Sequence, residues 1–493
     1  MTVSELEKFL KEQFQNMARE AAQAKLNMIG MLETETVVKG SDGVARPRKK
    51  LVERTIGTIF GDVSYKRWGY SAEKGSSLFP ADGHLNLPPE KYTHEVRRLV
   101  SEDVTRSSYD ETLEVLSRRT AATVPKRQGL ELVNRAAEDF IDFYDIAANK
   151  PEDSGVALKE SSSLLILTTD GKGVVMRHEG LREATRKAAE NKQHKLKKRL
   201  CAGEKKDRKR MAQVASVYTI APNVRTAEEI AGCAPVVHGK ETKRPRPEDK
   251  RVWASVEREP DQVINEIFQE AQARDPHHEK QWVGLVDGNL NQLQLLKKQA
   301  TAFGVTLTII IDFIHVLEYL WKASHVFYKE GDPLCEQFVS DRLLRVLLGQ
   351  SSQVAKGIRK MATDRGLSKE KRKAVDTCAS YLLKYKEYLQ YDKYLAQGLP
   401  IATGVIEGAC RYLVKDRMDI TGARWGLAGA EAVLRLRSLR VSGDFDEYWS
   451  YHEKMEQERN HSSKYENGLP PLKDNDSKAV CPKSGRQLRL VKG

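Results

Sequence analysis

The chain has 493 residues, 40% hydrophobic and 31% charged, with a formal net charge of +13. Those values exclude a disordered polymer and allow two to four domains with a real core. No stretch approaches the roughly 20 apolar residues of a membrane span. Residues 1–11 lack the apolar centre of a signal peptide, and the positive balance favours an anionic partner, nucleic acid first.

The charge is unevenly placed. Residues 177–210 hold fourteen Lys or Arg against five Asp or Glu, a net of +9. Lys195, Lys197, Lys198 and Arg199, then Arg208, Lys209 and Arg210, suit an arm that follows a phosphate backbone. The six cysteines are scattered with no C-x-x-C pair, so neither a zinc site nor a disulfide framework is expected, and reduced thiols in a cytosol are the simpler expectation.

In chain order, residues 1–34 read as an amphipathic helix with Leu6, Phe9, Leu10 and Phe14 at helical spacing. With its linker to residue 50 it is a candidate dimerisation segment, packing on its own domain being the equal alternative. Residues 51–90 follow as a β-hairpin region, with a turn signal at Gly61-Asp62. Residues 91–148 read as three short helices, the last running from Val124-Pro125 to about Tyr144. Helix, short turn and basic-tipped helix outline a helix-turn-helix, with Lys126, Arg127 and Gln128 toward a DNA groove. An ordinary three-helix bundle is the competing assignment.

After a polar linker at 149–163 the pattern becomes strands alternating with helices. Leu164 to Thr169 is an apolar strand, Asp170-Gly-Lys-Gly a turn, Val174 to Arg177 a returning strand, and Ala212 to Ile220 a third. Residues 221–257 read as irregular, with a basic, proline-stiffened loop from Lys243. A helix from Pro260, a strand ending at Asp287, a helix from Leu290 and a strand ending at Asp312 follow. Residues 313–398 are a helical insertion. Residues 399–445 close the core on a helix bearing Glu407, and 446–493 are a C-terminal helix and mobile tail.

Three strands, helix, strand, helix, strand, then helices is the element order of a ribonuclease-H-like α/β core spanning 160–312 and 399–445. It implies a five-stranded mixed sheet, an antiparallel meander joined to two parallel strands. Asp170 then lies on the central strand and Asp287 at the end of its neighbour, with strands about 4.8 Å apart. Glu407 supplies a third carboxylate. Three clustered carboxylates repel unless a cation joins them, and two Mg²⁺ ions, with Mn²⁺ as a substitute, suit oxygen ligands and phosphodiester chemistry. Taken singly, each Asp-Gly is more often a turn and Glu407 pairs readily with Arg411. Asp312 and His315 rival Asp287 as ligands or accessory catalytic groups, although Asp312 also suits a helix N-cap. Asp287 is preferred because the fourth strand borders the first in this fold.

The segments Thr169-Asp-Gly-Lys-Gly-Val, Gly284-Leu-Val-Asp-Gly-Asn, Ile311-Asp-Phe-Ile-His-Val-Leu-Glu-Tyr-Leu-Trp and Gly404-Val-Ile-Glu-Gly-Ala-Cys-Arg, with Arg417-Met-Asp and Gly422-Ala-Arg-Trp after them, resemble ISKra-type bacterial insertion-sequence transposases. The resemblance covers most of residues 50–445. It implies a DDE transposase with Asp170, Asp287 and Glu407 as triad, acting on the terminal inverted repeats of an element and on target DNA. A homodimer or larger synaptic complex and a cytoplasmic, nucleoid-associated location in a bacterium follow from it. Many relatives carry a cysteine-containing motif in the hairpin region; this chain has none there, so no bound zinc is expected. Arg417, Arg424, Trp425 and the helix with Arg435, Arg437 and Arg440 join Arg411 as candidate DNA contacts, Trp425 by stacking on a base, with a core position for Trp425 an equal alternative. The competing functions are a structure-specific nuclease with the same core and a non-catalytic DNA-binding regulator.

Overall fold

The computed structural model describes residues 1–32, 37–148, 163–192, 196, 201, 208–232 and 244–471. Most of the polar linker, Lys195, Lys197, Lys198, Arg199 and the tail from 472 lie outside the described residues. The chain divides into two compact units. One comprises residues 1–101, 109–132 and 449–493, the other residues 102–108 and 133–448. No described helix is long and apolar enough to cross a membrane.

The first unit begins with a helix at Val3–Gly30, started by a Thr2–Glu5 capping box. Its apolar residues Leu6, Phe9, Leu10 and Phe14 are exposed. Strands β1 (Val38–Lys39) and β2 (Ala45–Arg46) form a small antiparallel pair. Strands β3 (Arg48–Thr58) and β4 (Gly61–Ser71) form a long hairpin. Its two-residue turn is Ile59-Phe60, two residues before the expected Gly61-Asp62, because Thr58 pairs with Gly61 at the top of the ladder. The Thr58 hydroxyl closes that turn by donating to the Gly61 carbonyl at 2.8 Å. Asp82 is buried beneath the hairpin, accepting from Tyr65 Oη at 2.6 Å and pairing with Arg54 and Arg67 at 3.0 and 2.7 Å. Such a buried carboxylate is tolerated only because partners surround it.

The expected third helix of residues 124–144 is broken into Lys126–Ala136 and Phe140–Ala148. Residues 461–471 are not a free tail. Tyr465 is 4% exposed and packs with Val38, Tyr70 and Leu78.

The second unit is α/β, built on a five-stranded mixed sheet. Its strands are β5 (Leu164–Val175), β6 (Lys209–Ile220), β7 (Glu248–Ser255), β8 (Gln281–Val286) and β9 (Leu307–Ile311), in the order β7-β6-β5-β8-β9. The first three pair antiparallel; β5–β8 and β8–β9 pair parallel. The expected pairing scheme is therefore present, but two of its strands lie elsewhere in the chain than expected. Asp170-Gly-Lys-Gly is not a turn: β5 runs unbroken through it, each residue paired with β6 from Leu164 to Val175. The third antiparallel strand is β7, in the stretch read as irregular. Ladder pairing to β6 overrides the low strand propensity of its charged start.

Leu165, Ile166 and Leu167 of β5 are fully buried, as are Val214 and Ala215 of β6. The helix Pro260–Arg274 covers β5 and β6 with Val263, Ile264, Ile267, Phe268 and Ala271, a stripe at helical spacing. Burying each large side chain of that stripe stabilises by about 1.5–3 kcal/mol. The helix Leu427–Ser442 packs on β7, and its buried Glu431 accepts from Ser255 Oγ at 3.1 Å and from the Val256 amide at 2.9 Å. The expected helical insertion is Phe313–Phe327, Pro333–Leu347, Ser351–Asp364, Lys373–Lys384 and Tyr391–Ala396.

Candidate functional site

Parallel register places two of the carboxylates. Thr168 of β5 pairs with Leu285 of β8, so Asp170 and Asp287 each lie two residues beyond that pair, Asp170 inside β5 and Asp287 just past the end of β8. Neighbouring strands are about 4.8 Å apart. Buried β-strand segments precede both acids, and both are half-buried.

Asp170 is held on both oxygens. Its Oδ1 accepts from the Gly171 amide at 2.6 Å, and its Oδ2 from the Cys410 thiol at 3.3 Å. Burial, with the Asp170 carboxylate beside it, pushes the Cys410 thiol up, so it stays a protonated donor.

Asp287 starts a turn before the helix Leu290–Ala302. Its Oδ1 accepts from the Asn289 amide at 2.9 Å, and Asn289 caps the helix. Gly288 takes a left-handed φ of +93°, which glycine adopts without the strain a side chain brings. Among the described residues Asp287 Oδ2 accepts no hydrogen bond.

Asp312 follows β9 and is fully buried. Its amide continues the ladder by donating to the Val286 carbonyl at 2.9 Å. Its Oδ1 caps the helix Phe313–Phe327 through the Ile314 amide at 3.1 Å, the expected N-cap role. The Thr403 amide donates to the same oxygen at 3.2 Å and the Thr403 hydroxyl to Oδ2 at 2.7 Å. Burial raises its pKa against these hydrogen bonds, and Glu407 adds to the rise.

Glu407 is exposed on the helix Gly404–Ala409, for which Thr403 is the N-cap residue. Thr403 Oγ1 lies 3.2 Å from Glu407 Oε1, so one hydroxyl stands between Asp312 and Glu407. The helix continues as a π-helical turn, Cys410–Lys415. Such wide turns are rare and concentrate at functional sites. Ligand atoms of Asp312, His315 and Glu407 lie within 4.8 Å of one another. Among the described residues this is the only such group of three; Asp170 and Asp287 lie outside it. Asp170 is joined to the Glu407 helix through Cys410, three residues and about one turn on from Glu407.

The candidate DNA contacts divide by burial. Lys126 and Arg127 are exposed and paired with Asp110 and Glu131 at 2.6 and 3.3 Å. Gln128 is turned inward, its Oε1 accepting from Tyr92 Oη at 2.8 Å. Arg208, Lys209, Arg411 and Arg424 are exposed. Arg210 is committed to the Val256 and Gly180 carbonyls.

Arg417 and Trp425 are only 2% and 6% exposed. Arg417 Nε donates to the Val104 carbonyl at 2.6 Å while its guanidinium lies 4.9 Å from the Trp425 ring. Trp425 Nε1 donates to the Met418 carbonyl at 2.9 Å, and its backbone bridges to the end of β5. Both side chains are packed in the interior. Arg437 donates to the Leu413, Tyr412 and Thr105 carbonyls, and burial beside Arg417 and Arg440 pulls it down to about 10. Its chemistry is also internal.

Sequence reasoning missed Thr403, Cys410, Tyr381 and Tyr385. Thr403 and Cys410 stand four before and three after Glu407, a spacing that puts them on its helix face. The tyrosines, more than ninety residues from Asp287, carry no local signal. No protein-family model matches the chain, and comparison with curated proteins yields no match.

Proposed function

We propose that this chain is a DNA transposase of the DDE type, with a ribonuclease-H-like core and Asp170, Asp287 and Glu407 as its catalytic carboxylates. The observation that carries the proposal is the sheet: order β7-β6-β5-β8-β9, with Asp170 on the central strand and Asp287 just past the end of its parallel neighbour, each two residues beyond the same paired rung. A hard-oxygen donor set fits Mg²⁺, and the free Oδ2 of Asp287 and exposed carboxylate of Glu407 suit ligation. Asp170, Asp287 and Glu407 would hold Mg²⁺, which would supply activation of a water or 3′-hydroxyl and stabilisation of the leaving oxygen.

The residues themselves do the positioning. Gly171 and Cys410 fix the Asp170 carboxylate, Asn289 fixes that of Asp287, and Thr403 ties Glu407 to the buried Asp312. Exposed Arg208, Lys209, Arg411 and Arg424 in the same unit supply phosphate contacts without base specificity. The resemblance to ISKra-type transposases supports strand transfer over simple hydrolysis, with paired element ends held by two or more copies.

A second arrangement is favoured by one observation: Asp312, His315 and Glu407 converge within 4.8 Å. In it Asp312 replaces Asp287 as the second ligand. The buried position and three protein hydrogen bonds of Asp312 weigh against that.

The test is Mg²⁺-dependent cleavage and joining of DNA carrying the sequences that flank the gene, with Asp170→Ala, Asp287→Ala, Glu407→Ala and Asp312→Ala compared. Loss in the first three, with joining by the wild type, supports the proposal. Cleavage without joining makes the protein a nuclease. End binding without cleavage makes it a regulator. Loss in Asp312→Ala with an active Asp287→Ala exchanges the second ligand.

A further inference from the structure

The helical segment after residue 372 sends four phenols to β9 and the turn that follows β8. Tyr381 Oη donates to the Asp287 carbonyl at 3.1 Å and Tyr385 Oη to the Gly288 carbonyl at 2.7 Å. Tyr391 Oη donates to the Ile311 carbonyl at 2.7 Å, and Tyr394 Oη lies 3.5 Å from the Ile309 carbonyl. The first two hydrogen bonds meet the turn that carries the candidate ligand Asp287.

That turn has little other support. β8 ends at Val286, and the Asp287 side chain contributes one hydrogen bond, from Asn289. Gly288 sits with φ +93° so close under Tyr381 that a Cβ there would lie 3.0 Å from its hydroxyl. Tyr381 and Tyr385 are four residues apart and pack edge to face at 4.8 Å. Tyr319, from the helix capped by Asp312, stacks on Tyr381 at 4.2 Å and 27°. The rings are thus fixed by one another, and their hydroxyls point at consecutive carbonyls of a turn whose direction sets the Asp287 carboxylate.

We propose that Tyr381 and Tyr385 are positioning residues for Asp287: they lock the Asp287-Gly288 backbone so that the carboxylate leaves the strand end in one direction, toward the metal. The inference rests on Asp287 being a metal ligand, as in the proposed function. Groups that orient a ligand from behind commonly hold 10–100-fold in metal affinity. The helical insertion then does more than enlarge the core, since it preorganises one ligand of the site.

The experiment is calorimetric titration of the full chain with Mn²⁺, which favours the same oxygen ligands as Mg²⁺. Wild type, Asp287→Asn, the double variant Tyr381→Phe/Tyr385→Phe and Tyr394→Phe are compared, with the melting temperature of each metal-free protein measured alongside. The phenylalanines keep the ring packing and remove only the hydroxyls. Wild-type binding, its loss in Asp287→Asn, about 10–100-fold weaker binding in the double variant and unchanged binding in Tyr394→Phe support the proposal.

A double variant that binds Mn²⁺ as the wild type does, while Asp287→Asn loses binding, overturns the positioning role and leaves the ligand assignment standing. The same holds if only its melting temperature falls. Equal weakening in Tyr394→Phe also overturns it, because a general loosening of the insertion then explains the effect. Unchanged binding in Asp287→Asn, or none in the wild type, removes the ligand assignment and the proposal with it.

Discussion

The Thr403 hydroxyl donates to Asp312 Oδ2 at 2.7 Å. Because Thr403 Oγ1 also lies 3.2 Å from Glu407 Oε1, this one side chain couples a fully buried acid at the end of β9 to an exposed acid on the helix Gly404–Ala409. Thr403→Val keeps the shape and removes the hydroxyl. It leaves a buried carboxylate oxygen unsatisfied, at a cost of about 1–3 kcal/mol. Denaturant unfolding checks the loss, and Thr403→Ser is expected to restore most of it.

Cys410 gives a sharper test, because its neighbour is the central-strand acid. Cys410→Ala removes the donor to Asp170 Oδ2, whereas Cys410→Ser replaces it with a stronger one. The serine variant is expected to bind Mn²⁺ close to the wild-type affinity and the alanine variant about tenfold more weakly. Titration of both proteins measures the difference.

Trp425 separates a structural from a DNA-contacting role. It is buried, bonded to the Met418 carbonyl and packed by Arg417. Trp425→Ala is expected to destabilise the protein by about 3–5 kcal/mol, while the DNA affinity of the folded fraction stays unchanged. Thermal melting and fluorescence anisotropy on one DNA duplex check the two halves.

In the first unit, burial and the nearby Arg97 lower the pKa of His94 to about 3. A depressed folded-state value gives stability that is present above the unfolded pKa near 6.5 and lost as pH falls toward 3. Between pH 7 and pH 5 the loss is about 2 kcal/mol for this one residue. His94→Gln is expected to flatten the pH dependence of unfolding over that range, as measured by urea denaturation at each pH.

Sequence legibility followed the range of the interaction. Buried strands such as Leu164–Thr169 and the apolar run before Asp287 were plain because their burial is written in consecutive residues. The end of β5 was not, since Asp170-Gly-Lys-Gly has turn chemistry and is kept extended only by pairing with β6. β7 was missed for a related reason: its charged start looks like a loop until β6 lies beside it. Glu407, Asp170 and Asp312 were legible as acids after apolar elements. Their connections through Thr403 and Cys410 needed the fold to bring them together, and so did the tyrosines over Asp287. For Trp425 the Gly-rich segment allows a base-stacking surface or a core position equally, and burial with the Arg417 guanidinium over its ring decides for the core.

The most direct test of the account is a metal-specificity switch at the three carboxylates. Asp170→Cys, Asp287→Cys and Glu407→Cys each exchange a hard oxygen ligand for a soft sulfur, which Mg²⁺ rejects and Mn²⁺ accepts better. DNA cleavage and joining by each variant, measured first in Mg²⁺ and then in Mn²⁺, is expected to vanish in the first and return in the second. Full Mg²⁺-dependent activity in all three variants would contradict the account.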